Sequence, residues 1–188
     1  MRASSLLRSV RRSLALSQRE VAARAGVSQP FYADIERGAH DTGTETLERI
    51  LASSGHRLFV IPTTAHSAAE WADYIFQELR GNRRSQEVAF RALIGLNDDL
   101  RRATPALRVV ITLAVPPLCG DAHFDAAVAA LCEYRLSEVA MPLPEWINEP
   151  TRTLEHPWTV TPYAAANEVH PIFRRHGVIL ATSELQSV

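Results

Sequence analysis

The 188-residue chain contains no lysine: all 20 of its basic residues are arginine. That bias reflects genome base composition rather than a physical demand, and it carries no functional weight. Cysteine is scarce. Cys119 and Cys132 cannot build a disulfide framework, so a reduced, cytoplasmic protein with free thiols is expected. No apolar run approaches the 18 residues of a membrane-spanning helix. The basic start MRASSLLRSVRRS breaks its apolar residues with Arg and Ser, so no export core is expected. There is no Gly-rich phosphate loop. Cys119, His123 and Cys132 offer three ligands without paired Cys-x-x-Cys spacing. Cys132 also falls in the apolar stripe of Phe124, Val128 and Leu131, so no metal site is expected. His170 and His176 flank Phe173 with no nucleophile or carboxylate cluster close in sequence, and Asp98-Asp99 beside Arg101-Arg102 reads as surface charge. No catalytic residues and no cofactor are expected, and the chain does not read as an enzyme.

What is present is ordinary globular material, with 46% hydrophobic and 22% charged residues, which excludes wholesale disorder. The net charge of −1 hides an asymmetry. Residues 1–60 hold nine Arg against six acids, whereas 61–188 hold eleven Arg against fifteen acids. A basic front and an acidic remainder suit an anion-gripping head joined to a differently employed body.

Helical signals crowd the front. Leu6, Leu7, Val10 and Leu14 recur at helical spacing. Ser17 and Glu20 form a capping-box pattern, opening a helix that turns Val21, Ala22 and Ala25 inward and stops at Gly26. Ser28 caps the next helix, which tolerates Pro30 in its first turn, directs Phe31 and Ile35 inward and ends at Gly38. Thr44 opens a fourth helix holding Leu47, Ile50 and Leu51, closed at Gly55. Arg57–Ile61, RLFVI, is β-branched and aromatic and predicts a strand.

After a linker at 61–67 the pattern predicts helices near 67–80, 84–101, 105–115 and 121–139. Residues 109–115, VVITLAV, are apolar on every face and predict a buried central helix. From Met141 to Pro171 lie six of the eleven prolines. Little regular structure is expected there beyond short strands at Trp158–Thr161 and Gly177–Leu180.

A tight helix–glycine–helix of this length is the geometry of a DNA-binding helix-turn-helix, whose second helix enters the major groove. Gln18 stands at the start of the first helix, where free N–H groups and the helix dipole attract a phosphate. Gln29, at the start of the second, carries an amide that donates and accepts together, as bidentate reading of adenine requires. Tyr32 and Ala33 lie one turn on, toward base edges. Arg37, His40 and Thr42 lie where phosphates would pass.

Residues 16–38 resemble the Cro/phage-repressor (Xre) family. Leu16-Ser17-Gln18, Val21-Ala22, Gly26-Val27-Ser28 and Ile35-Glu36-Arg37-Gly38 fall at that family's spacing, and the likeness extends over about residues 5–61. Ala15 departs from it, at a position where the family often has Gly. The resemblance implies a mainly α chain with a four- to five-helix Cro/repressor-type head at 1–62. It also implies double-stranded DNA as partner, bound by a homodimer at an inverted repeat. The DNA-facing set is then Gln18, Arg19, Ser28, Gln29, Pro30, Tyr32, Ala33, Arg37, His40 and Thr42. In this family the positions of Arg11 and Glu36 form an internal ion pair that braces the first helix against the reading helix.

Residues 67–140 hold enough apolar side chains for their own bundle, which could dimerise, bind an effector or hold a partner. In the segment 141–188, Trp146, Trp158, Tyr163 and Phe173 are aromatic anchors on a proline-stiffened chain. That composition suits docking on another protein, or alternatively on the chain's own bundle. The ending FRRHGVILATSELQSV behind an Xre-type head is similar to antitoxin-like regulators of bacterial toxin–antitoxin operons. There the head represses the operon and the remainder restrains a toxin. The reading is thus a repressor acting as the antitoxin of such a pair, with a ligand-responsive regulator carrying a small-molecule-sensing helical domain as the alternative. A structural nucleoid-type binder fits less well, because a Gln-bearing helix is built to read sequence.

Overall fold

Ser17 and Ser28 each start a helix. Ser17 Oγ accepts the Glu20 N–H at 3.2 Å while Glu20 Oε2 accepts the Ser17 N–H at 2.7 Å, which closes the capping box. Ser28 Oγ accepts the Phe31 N–H at 3.3 Å. In the computed structural model of the chain, which describes residues 3–80, 86–160 and 168–185, these caps belong to a unit spanning Met1–Thr64. Its helices are α1 (Ala3–Ser13), α2 (Gln18–Ala25), α3 (Gln29–Arg37) and α4 (Thr44–Ser53). Gly26 and Gly38 end α2 and α3 in the left-handed region, at φ 65° and 77°, which an L side chain rarely adopts. Their Leu7, Val21, Ala22, Ala25, Tyr32, Ile35, Ile50 and Leu51 pack into one core.

α4 opens at Thr44 as expected, after an N-cap Gly43 that offers no side-chain hydrogen bond. One local expectation differs. The strand predicted at Arg57–Ile61 does not form among the described residues: Leu58 leans on the core, while Phe59 and Val60 project outward.

The second unit, Ala65–Val188, is built around α8 (Ala122–Ser137), against which α5 (Ala68–Arg80), α6 (Gln86–Arg102) and α7 (Pro105–Leu113) pack. α8 is buried nearly all round, from Phe124 to Glu133 and again at Arg135 and Leu136. Its alanines (126, 127, 129 and 130) let neighbouring elements approach closely from several sides. The central helix is therefore α8 and not 109–115. In that stretch Ile111 and Thr112 are buried, but Val110 is 43% and Leu113 64% exposed. An all-apolar stretch cannot by itself say which face turns inward.

The proline-rich region is part of this unit rather than a separate docking arm. Single-turn 3-10 helices at Glu145–Asn148, Pro150–Arg152 and Thr182–Leu185 alternate with β1 (Trp158–Thr159), α9 (Pro171–Arg175) and β2 (Val178–Ile179). β1 and β2 pair in parallel, Trp158 with Val178 and Thr159 with Ile179. Trp146 is buried, its Nε1–H donating to Thr112 O at 2.9 Å. Phe173 is buried beside Tyr134, with ring centroids 5.4 Å apart. Trp158 is half-buried, its ring edge-on to Phe124. Trp146 and Phe173 are thus spent on the chain's own bundle and cannot anchor another protein from this fold. Tyr163 lies outside the described residues.

Polar contacts tie the same segment down. Arg152, 1% exposed, donates to Pro116 O at 2.5 Å, sits 3.4 Å from Asp125 Oδ1 and lies over the Trp146 ring. His176 places Nδ1 2.7 Å from Arg152 O and Nε2 2.8 Å from Glu133 Oε2, so the fold gives it a carboxylate partner 43 positions away. Asn97 Nδ2–H donates to Leu185 O at 2.7 Å. Burial raises the thiol pKa of both cysteines, that of Cys132 to about 12, which makes them inert core residues.

Candidate nucleic-acid interface

Glu36 organises the head. It is 2% exposed, and three side chains converge on it. Arg11 donates from Nη2 to Oε1 at 2.6 Å and from Nε to Oε2 at 3.0 Å, Gln18 Nε2–H donates to Oε2 at 3.0 Å, and Arg8 Nε lies 3.7 Å from Oε1. Arg8 also donates to the Glu36 carbonyl at 2.7 Å, and Arg11 Nη1–H to Leu16 O at 3.0 Å. Burial pushes the Glu36 carboxyl up, but the hydrogen bonds from Arg11 and Gln18 and the charges of Arg11 and Arg8 outweigh it. The group is held below its ordinary value. The hydrogen bond to Glu36 raises the Arg11 pKa. The result is a charged brace joining α1, the start of α2 and the end of α3.

That brace fixes which face of α3 points outward. Gln29 and Pro30 are exposed, Ala33 and Asp34 partly so, and Arg37 is exposed. Positions 29, 30, 33, 34 and 37 form one stripe at helical spacing. Arg19 on α2 and His40 beyond α3 are exposed, and Thr42 is half-buried. The His40 ring packs edge-on to Phe31, with centroids 5.0 Å apart. Ser28 is exposed, its hydroxyl occupied by the cap.

Tyr32 is a correction. It is 0% exposed, in the head core, with its hydroxyl 3.5 Å from Leu7 O, and burial raises its phenol pKa to about 12. It cannot reach a base edge in this fold. Tyr32 precedes Ile35 by three positions and shares its inward face, whereas Phe31, expected to be the inward aromatic, is only half-buried. Gln18 is also more constrained than its position implied. One amide hydrogen is committed to Glu36, which leaves the second for an outside acceptor.

Two residues escaped the sequence reading. Arg8 belongs to the brace, and its place three positions before Arg11 on α1 was the available signal. Asp34 lies on the exposed stripe, paired with Arg37, four positions after Pro30 and five after Gln29.

Comparison with known proteins places the same segment. Residues 7–52 match the family described as Helix-turn-helix. The head is a helix-turn-helix domain of Cro/C1 type. An uncharacterized HTH-type transcriptional regulator of Haemophilus influenzae is 36% identical over 58 residues, covering 31% of this chain and 59% of that protein. No solved structure matches the chain. In this helix-turn-helix domain α2 and α3 are the paired helices, and Gly26 makes the turn between them. The family match lies wholly within the first unit. Among the described residues, no helix is long and apolar enough to cross a membrane and no three His, Cys, Asp or Glu side chains group as metal ligands.

Proposed function

We propose that the chain is a sequence-specific DNA-binding transcriptional regulator that acts as a homodimer on an inverted-repeat operator. The observation that carries this reading is the exposed stripe of α3, with Gln29 at its N-terminal end and Arg37 at its C-terminal end, held rigid from behind by the Glu36 brace. Gln29 reads an adenine through its amide. Arg19, the second Gln18 amide hydrogen and the free N–H groups opening α2 take phosphates, as does Arg37. Half-sites lie about one helical turn, roughly 34 Å, apart. Footprinting upstream of the chain's own gene tests it: a protected inverted repeat is expected. Equal affinity for operator and random DNA at physiological salt would sink the reading.

For the second unit we propose a partner-responsive role, that of an antitoxin whose body restrains a toxin. With Trp146 and Phe173 buried, the support moves from the tail to the exposed apolar ridge of α7 and the segment after it: Leu113 is 64%, Leu118 51% and Val110 43% exposed. Co-expression with the product of an adjacent gene tests this role. Capture and neutralisation lost in Leu113→Asp but kept in Trp158→Ala is the expected result.

A further inference from the structure

From Ala103 to Gly120 the chain carries one charged residue, Arg108, and it is buried. Its guanidinium is occupied within the unit, donating to Arg135 O at 2.6 Å and to Glu138 Oε2 at 3.3 Å. The exposed face of α7 therefore bears no charge. Ala106, Val110 and Leu113 follow one another at steps of four and three and are all exposed, which makes them one row of the helix. Val115 and Leu118 add exposed apolar surface just beyond its end. A helix that faces only water carries polar and charged residues on its outer side. This one does not.

The two ends of the ridge differ in charge. α6 ends at Arg101-Arg102, and α7 begins three residues later. Arg101 is exposed and has no ion-pair partner among the described residues, while Arg102 reaches Asp98 Oδ2 at 3.4 Å. Glu138, the acid that approaches this end, is taken by Arg108 and Arg135. At the other end the Trp146 Nε1–H donates to Thr112 O, which ties the single turn Glu145–Asn148 to the last turn of α7. Glu145 and Glu149 are carried there, both exposed and without an ion pair among the described residues. An apolar row thus runs between a basic pole and an acidic one.

We infer that this row seats an amphipathic helix of the protein partner proposed for the second unit, with an acidic end over Arg101 and a basic end over Glu145. The inference rests on the antitoxin reading and gives its protein contact a place and a charge pattern. A helix is the occupant that fits. The peptide groups of α7 are satisfied within it, so the ridge has no open backbone row for a strand to join. What it offers is a row of side chains, which packs into the groove between two rows of another helix. Size argues for a foreign helix over a second copy of α7. A stable interface buries about 800 Å² per partner. Two copies of a row made of one alanine, one valine and one leucine fall short of that, so the occupant must bring larger side chains, of which an aromatic supplies about 150–250 Å².

The test uses the full chain and the purified product of the adjacent gene, titrated by calorimetry. Val110→Glu and Leu113→Asp should each weaken binding at least about thirtyfold, as loss of a central anchor does. Arg101→Glu and Glu145→Arg should each weaken it about fivefold, an effect that added salt erases. Melting curves and operator binding of all four variants should match wild type, because these side chains are exposed and lie outside the head. Hydrogen exchange on the bound partner should protect one helical segment with acids at one end and bases at the other. Wild-type affinity in all four variants would overturn the ridge and leave the antitoxin reading standing, and protection of a strand or loop would overturn the helical occupant. Absence of binding by every form would remove the antitoxin reading and this contact with it. A wild-type dimer that Leu113→Asp dissociates in sedimentation would assign the ridge to a second copy and overturn the proposal.

Discussion

Arg11 on α1 and Glu36 on α3 are 25 positions apart and meet through two parallel contacts, at 2.6 and 3.0 Å. Glu36 is almost completely enclosed, whereas the Arg11 side chain is 18% exposed. Such a fork-to-fork pair fixes the relative angle of the two helices, and so decides where α3 presents its outer face.

Breaking the pair on one side leaves an uncompensated charge. Arg11→Ala and Glu36→Ala should each destabilise the head by about 3–5 kcal/mol and lower its melting temperature. Calorimetry measures this directly. Loss of DNA binding with an unchanged melting curve would make the two residues direct contacts instead.

The same carboxylate sets a pH dependence. The folded Glu36 pKa lies below its ordinary 4.5, so the folded state releases this proton more readily than the unfolded chain does. The stabilisation is therefore complete above about pH 4.5 and is lost as the pH falls through the folded value. The head of Glu36→Gln should start from a lower melting temperature and show a flatter decline across that window. Parallel acid profiles for wild type and variant would contradict the assignment.

How much of the fold is legible in the sequence depends on the range of the interaction involved. The caps at Ser17 and Ser28 and the stops at Gly26 and Gly38 are decided within four positions, and they stand where their patterns put them. The inward aromatic of α3 is decided by α1, because Tyr32 is accommodated beside Leu7. A nine-residue helix with adjacent Phe31 and Tyr32 offers no local means of choosing between them. The tail was harder still. Trp146 is held by Thr112, Leu185 by Asn97 and His176 by Glu133, contacts that no window of sequence contains. Prolines at 150 and 171 begin short helices here, at first-turn positions where a missing N–H costs nothing.

Those long-range contacts predict the outcome of truncation. Ending the chain after Ala140 removes Trp146, Phe173, Val178, Leu180 and Leu185 from the core of the second unit. Losing Trp146 and Phe173 alone is worth about 3–5 kcal/mol each, and each leucine about 2–5 kcal/mol, against a total stability of about 5–15 kcal/mol. The second unit should lose its cooperative melting transition while that of the head persists. Circular dichroism separates the two. A truncated chain with an intact second transition would mean that the tail only decorates the bundle.

Position 177 is a sharper probe of the same packing. Gly177 sits at φ 73°, and an added Cβ would lie 2.8 Å from Leu154 Cβ and 2.9 Å from Leu154 O. Backbone cannot yield as a flexible side chain does, so Gly177→Ala should destabilise the second unit by more than the roughly 1 kcal/mol of a left-handed alanine alone. Denaturant midpoints decide it, and an unshifted midpoint would show that the turn can relax.

The outer stripe of α3 divides its work between reading and gripping, and mutation should separate the two. Gln29→Ala should cost about 1–3 kcal/mol per half-site on the operator and little on random DNA, because it removes a base contact. Arg37→Ala should weaken both DNAs alike and reduce the salt slope by about 0.9 per half-site, the signature of one phosphate contact. Asp34 adds a twist, since it pairs with Arg37 in the free protein and places a negative charge on a face turned to an anion. Asp34→Asn removes that competition, so it should tighten binding to random DNA, an effect that Arg37→Ala in the same chain should abolish. Titrations of all four proteins at several salt concentrations supply the comparison. If Asp34→Asn weakened operator binding alone, Asp34 would be an acceptor reading a cytosine amino group, and Arg37 would be the residue that positions it.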